Sequence, residues 1–150
     1  MLKKYEFVPD SSIYRAGRKL TRIRAIKSFG DIKAGQLGGY LEIERNLSHY
    51  GNAWVADNAC VTGSACVHDN GVVFENAVLS ENAEVADNAK MGGNSRAYDR
   101  AKIFGNAVLT DRAEVFGDAK ISGNARLCSL ASVSGTKVLS GSQIVTKRIE

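Results

Sequence analysis

The sequence predicts an all-β solenoid built from three-sided coils, and three observations carry that expectation. An apolar residue returns at every sixth position from Val55 to Val145, sixteen times in succession without an insertion. A small residue follows four places after each of the first thirteen, from Ala59 and Ala65 to Ala125 and Ala131, with Gly71 and Ser95 as the only departures from Ala. Between these lie corner pairs, mostly Gly, Asp or Glu followed by Asn, which tolerate left-handed or bridge backbone. The chain has 15 Gly but a single proline, Pro9, so its backbone N–H groups are kept for pairing.

A period of six places successive aliphatics on different helical faces, and the Gly/Asn density opposes any helix. A meander of hairpins would need reversals every 8–12 residues. Three hexads instead close an 18-residue triangular coil, and coils stack at the strand spacing of about 4.8 Å.

In chain order, residues 1–35 are expected to form an N-terminal basic β cap. "KYEFV" and "KLTRIRAI" read as strands, the second with Leu20, Arg22, Arg24 and Ile26 on one side and Thr21, Ile23 and Ala25 on the other. A solenoid end exposes strand edge and open core, and so needs such a cover. Residues 36–150 form the β-helix, with regular hexads from about 51 to 147. Leu37 and Ile43 fall in the sixfold register, so irregular coils are expected before Val55. At the far end Lys147, Arg148 and Glu150 discourage edge pairing by charge. Asn52, Asn70, Asn88, Asn106 and Asn124 share one corner, which predicts an amide ladder. Ala97 stands where its neighbours are large and predicts a thin place in the core beside Ser95.

Sorting by 18 separates the faces. The first presents Trp54, Val72, Phe74, Val108 and Ile144, an apolar stripe of the kind that marks an interface. The second carries Val78, Tyr98 and Phe116; the third His68, Glu84, Lys102, Phe104 and Lys120. Charge is equally uneven. The net charge is +4, and basic residues crowd into one stretch containing Arg15, Arg18, Lys19, Arg22, Arg24 and Lys27. Such a patch suits an acidic protein surface, a nucleotide or nucleic acid, or else is the polar side of a capping strand.

The aliphatic-at-one, small-at-five pattern resembles the hexapeptide-repeat superfamily, over about two thirds of the chain. The resemblance implies a left-handed parallel β-helix, an exception to the usual right-handed crossover, and side-by-side homotrimers, here through the Trp54/Val72/Phe74/Val108/Ile144 face. "RIRAIKSFGDIKAGQLGGYLEIERNLS" running into "GNAWV" is similar to short hexapeptide-repeat proteins of phages, prophages and bacteria, many of which carry an acyltransferase label that rests on the repeat.

The chemistry implied by that label needs CoA or an acyl carrier, and a histidine general base. His68, with Asp69 as its orienter, is the candidate; a solvated surface histidine is the plainer reading. His49 falls at a core-type position and suits a hydrogen-bonded capping role. The repeats carry no loop that would fold over an acceptor. Two histidines do not supply the three zinc ligands of the carbonic-anhydrase branch, and Cys60 and Cys66 point from different faces, so no metal is expected. No phosphate-binding or nucleophile motif occurs.

Three cysteines without paired spacing suit a reducing compartment. No run of about 18 apolar residues is present, and "MLKKYEFVPD" lacks the apolar segment of a signal peptide. The expectation is a cytoplasmic, cofactor-free, non-enzymatic trimer, phage or prophage in type, in a bacterium or an infected host cell. It would bind a macromolecular partner, one form of which is inhibition of a host defence protein. A CoA-dependent acyltransferase is the alternative.

Overall fold

The structure, a computed structural model, describes residues 2–149; Glu150 lies outside them. It is an all-β parallel solenoid with about 18 residues per coil, and its one helical element among the described residues is a single 3-10 turn at Glu44–Asn46. Among the described residues no helix is long and apolar enough to cross a membrane.

Sixteen two-residue strands run from Trp54–Val55 to Ile144–Val145, one per hexad. Each of the first thirteen pairs in parallel with the strand 18 residues on, as in Trp54↔Val72, Cys60↔Val78 and Glu84↔Lys102. These pairings give three sheets, one per side of the triangle. The second residue of each strand points inward, and Val55, Val61, Val67, Val73, Leu79, Val85 and Met91 are wholly buried, as are most of the alanines beside the corners. Ala97 is buried too, and the neighbouring Ser95 hydroxyl donates to the Gly92 carbonyl at 2.7 Å. A buried polar group is thereby satisfied locally.

The corners are more regular than the sequence alone suggests. At every sixth residue from Gly51 to Gly135, φ lies between 53° and 69°. Where that residue is Asp or Glu, its carboxylate generally accepts the backbone N–H of the corner one coil further on. Asp57 takes the N–H of Glu75 (3.0 Å), Asp87 that of Gly105 (2.9 Å) and Asp99 that of Gly117 (2.9 Å). The expected asparagine ladder is short by comparison: Asn70 Nδ2 donates to Asn88 Oδ1 at 3.3 Å, and the Asn52 N–H reaches Asn70 Oδ1 at 3.4 Å. Among the described residues, acids at the left-handed corner position make six such links, against two made by the asparagines.

The cap consists of β1 (Tyr5–Phe7), β2 (Ile13–Arg15) and β3 (Arg18–Ala25), followed by β4 (Leu37–Leu41). Both β1 and β2 pair antiparallel with β3, β3 pairs antiparallel with β4, and β4 pairs in parallel with Cys60–Val61. The cap thus extends the second face into a nine-stranded sheet. The expected alternation holds from Arg22 to Ile26, with Ile23 and Ala25 buried and Ile26 exposed, whereas Leu20, on the arginine side, is buried where β3 leaves β4 for its hairpin with β2.

Leu37 and Ile43, expected in the sixfold core register, are instead exposed at 52% and 40%. The first coil is phased by Leu41 and Leu47, which pair with Val61 and Val67, an offset of 20 residues rather than 18. Two additional residues therefore lie between Leu47 and Val55. Buried groups close this coil. Asn46 Oδ1 accepts the N–H groups of Glu42 and Ile43, while its Nδ2 donates to the carbonyls of Gly63 and Ala65. The Tyr5 hydroxyl lies 2.6 and 2.7 Å from the carbonyl oxygens of Glu44 and Leu47.

Trp54 was expected on the open apolar stripe, and this is corrected. It is only 2% exposed because Phe29 packs edge-on against it, ring centroids 5.4 Å apart, so it belongs to the joint between cap and solenoid. Val72, Phe74 and Val108 are half-buried on the outer surface of the first face, and Ile144 is exposed.

Candidate functional site

Two regions gather the residues singled out from the sequence. The first is the hairpin of β2 and β3. Its two-residue turn, Ala16–Gly17, has φ of 50° and 76°, the doubly positive geometry of a tight type I′ hairpin. Registers Tyr14↔Lys19 and Arg15↔Arg18 set an exposed aromatic beside a lysine and two arginines opposite each other.

The six basic residues divide. Arg18 Nη1 donates to Glu42 at 2.7 Å, and Arg24 is held by Glu6 at 2.6 Å. Arg22 is used within the fold: it donates to the Gly38 carbonyl, the Tyr40 hydroxyl and Asn58 Oδ1, and its guanidinium lies 4.4 Å above the Tyr40 ring. Arg22 is thus a strut between cap and coil, and Arg24 an ion pair on the cap surface. Arg15, Lys19 and Lys27 are exposed, and none of them meets a carboxylate among the described residues.

The second region is a concavity of about 320 Å³ on the third face, lined by His68, Asp69, Glu84, Ala86, Asp87, Lys102, Ile103, Phe104 and Lys120. His68 stands there, one third exposed. Its Nε2 is 2.9 Å from Glu84 Oε2, and its Nδ1 is 3.4 Å from Asp69 Oδ2. The nearer orienting carboxylate is therefore Glu84, which sequence spacing did not assign to that role; its place one coil above His68 was the signal. With a carboxylate against each ring nitrogen, an acceptor hydroxyl would have to displace one of them before His68 could serve it as a general base.

His49 takes the structural role expected of it. It stacks on Tyr5 at 4.1 Å, accepts the Lys4 N–H at Nδ1, and meets Glu44 at Nε2 at 2.8 Å. Because a backbone N–H can only donate, Nδ1 is the acceptor and Nε2 carries the proton. That hydrogen bond, ahead of the one from Lys3, holds the Glu44 carboxyl below its ordinary range. Above this layer Lys4 is wholly buried, donates to the Ala53 carbonyl at 2.7 Å and lies 4.6 Å over the Phe29 ring. Burial, then the charge of Lys27, brings its pKa down to about 8.

Cys60 and Cys66 show no sign of activation. Burial pushes Cys60 up despite Arg15 and Arg22, and burial together with Glu84 pushes Cys66 up, the reverse of a reactive thiolate. Among the described residues no group of three or more His, Cys, Asp or Glu is placed to hold a metal ion. On the second face Tyr98 and Phe116, one coil apart, stack with centroids 5.1 Å apart and planes 4° from parallel.

Fold and corners together define a three-sided parallel β-solenoid protein with 18-residue coils, consistent with a hexapeptide-repeat β-helix. No protein-family model matches the chain, and a search of curated proteins finds no match.

Proposed function

We propose that this is a non-enzymatic interaction protein, homotrimeric and of phage or prophage type, which grips an acidic surface on a host protein with its N-terminal hairpin. One observation carries the reading: Arg15 and Lys19, beside the exposed Tyr14, stand on a rigid tight hairpin with no carboxylate of their own. Cations left unpaired on a preorganised element are available to a partner. Inhibition of a defence component is one outcome of such binding.

The test is affinity capture from the native host with the whole chain, comparing the parent with Arg15→Glu/Lys19→Glu. Loss of the captured protein at unchanged melting temperature supports the reading; undiminished capture overturns it. Arg22 is unsuitable for this purpose because its loss would unstitch the cap. The trimer is assigned to Val72, Phe74, Val108 and Ile144, without Trp54, and Val72→Asp/Val108→Asp should lower the mass in solution to that of one chain.

The His68 concavity favours a second reading, a CoA-dependent acyltransferase. Saturable acyl-CoA binding that disappears in His68→Ala would establish it over the first.

A further inference from the structure

Along the third face the outward residues just after each strand form a column: His68, Ala86, Phe104. Their backbones stack coil on coil, His68 N–H to Val85 O at 3.0 Å and Ala86 N–H to Ile103 O at 2.9 Å. Two aromatic side chains are therefore separated by one small residue, about 9.6 Å apart at two strand spacings. The molecule supplies its own gauge for that gap. On the second face Tyr98 and Phe116 occupy adjacent levels of the matching column and stack at 5.1 Å. A planar ring at the level of Ala86 would lie about one such step from His68 and one from Phe104, inside the 4.5–7 Å range of stacked aromatics.

The groups around this slot are not neutral. Glu84 stands in the neighbouring column at the level of Ala86; its Oε2 is engaged by His68 Nε2 at 2.9 Å, and its Oε1, which meets only Lys102 at 4.0 Å, is the acceptor left for a ring-borne amine. One and two levels up, Lys102 and Lys120 pair directly in register, two like charges side by side. Lys102 has only a 4.0 Å contact to Glu84, and Lys120 has no ion pair among the described residues. Such a pair is relieved by an anion held between them. Asp69 and Asp87, on the opposite rim, already accept the N–H groups of Asp87 and Gly105. The volume of about 320 Å³ is at the small end for ligand sites.

We infer that this slot binds an amino-bearing nucleoside monophosphate, its base between His68 and Phe104 and its phosphate on Lys102 and Lys120. The inference is independent of the hairpin reading above, and it uses His68 as a stacking wall rather than as a base.

The probe is AMP, titrated into the full chain at low salt by calorimetry, with adenosine, ribose 5-phosphate and acetyl-CoA as separate arms. Saturable AMP binding is expected, with adenosine and ribose 5-phosphate each weaker by about tenfold or more because each lacks one half of the recognition. Ala86→Phe should fill the slot with a ring, completing a ladder like Tyr98/Phe116, and abolish binding without lowering the melting temperature. Phe104→Ala removes one wall from the other direction and should weaken AMP while sparing ribose 5-phosphate. The inference is overturned by absence of saturable AMP binding, by ribose 5-phosphate matching AMP, by AMP binding that survives Ala86→Phe in folded protein, or by acetyl-CoA binding where AMP does not.

Discussion

Lys4 Nζ donates to the carbonyl oxygen of Ala53 at 2.7 Å, inside a joint from which water is excluded. It is the one lysine among the described residues that is buried, and its position ties the first strand of the cap to the start of the regular repeats.

A pH dependence follows from that burial. The pKa of Lys4 falls from 10.5 to about 8 on folding, so between those values the unfolded chain binds more protons and stability increases with pH. The destabilising effect is complete below about pH 8 and disappears above about 10.5, a swing of order 3 kcal/mol. Tyr5, Cys60 and Cys66 act oppositely, because burial raises all three and their unfolded forms ionise first. Denaturant unfolding of the parent and of Lys4→Met, compared across pH 7 to 10.5, isolates the lysine. The stability difference should move in favour of the parent by up to about 3 kcal/mol; a pH-independent difference would mean that Lys4 keeps its ordinary proton affinity.

Asp99 offers a test of the corner ladder. It sits at φ 58° and accepts the Gly117 N–H at 2.9 Å. Asp99→Asn keeps both the acceptor and the tolerance for this backbone and should cost less than about 0.5 kcal/mol. Asp99→Ala loses both, at about 1–2 kcal/mol, and Asp99→Gly should fall between them. Thermal unfolding gives the order directly, and an Ala variant as stable as the Asn variant would show that the ladder contributes nothing.

Ala16 adopts φ 50° at the tip of the hairpin, a conformation that costs an L-residue about 1 kcal/mol. Ala16→Gly should therefore stabilise the cap by a few tenths to 1 kcal/mol. Amide exchange of the Arg15 and Arg18 N–H groups is the local readout, and slower exchange in the variant is expected.

Gly38 and Gly35 should respond very differently to alanine. A Cβ on Gly38 would sit 2.6 Å from the Trp54 ring and 2.7 Å from the Val55 carbonyl oxygen, whereas one on Gly35 meets nothing within 4 Å. Gly38→Ala should cost more than about 3 kcal/mol by overpacking the joint. Gly35→Ala carries only the strain of its φ of 91°, about 1 kcal/mol. Melting temperatures of the two variants check the contrast.

The solenoid was legible because each hexad repeats a local instruction: one large apolar residue inward, one small residue beside the corner, and a corner residue that accepts left-handed backbone. Nothing distant is needed to read it. The first coil was misread because Leu37 and Ile43 obey the same spacing by coincidence, while the true phase, Leu41 and Leu47, is displaced by two residues that only pairing with Val61 and Val67 reveals. Trp54 was placed on an open face because the column rule is correct for its backbone; Phe29, 25 residues earlier, covers it. The basic segment was visible as a cluster, but its division into struts and free cations depends on Glu6, Glu42 and Tyr40, which share no local pattern with it. Glu84 beside His68 lay within reach of the 18-residue arithmetic, since both stand on one face one coil apart.

The 20-residue first coil sets an angular origin for everything after it. Beyond Val55 the chain behaves as a graduated rod: removal of 18 residues, for instance 90–107, would withdraw one graduation of about 4.8 Å and leave the far end facing the same way. Removal of six would keep every hexad intact yet swing the far end by a third of a turn about the axis. The distance and the bearing between the basic hairpin and any feature on the rod are thus separately adjustable, in fixed steps, by the simplest kind of length change.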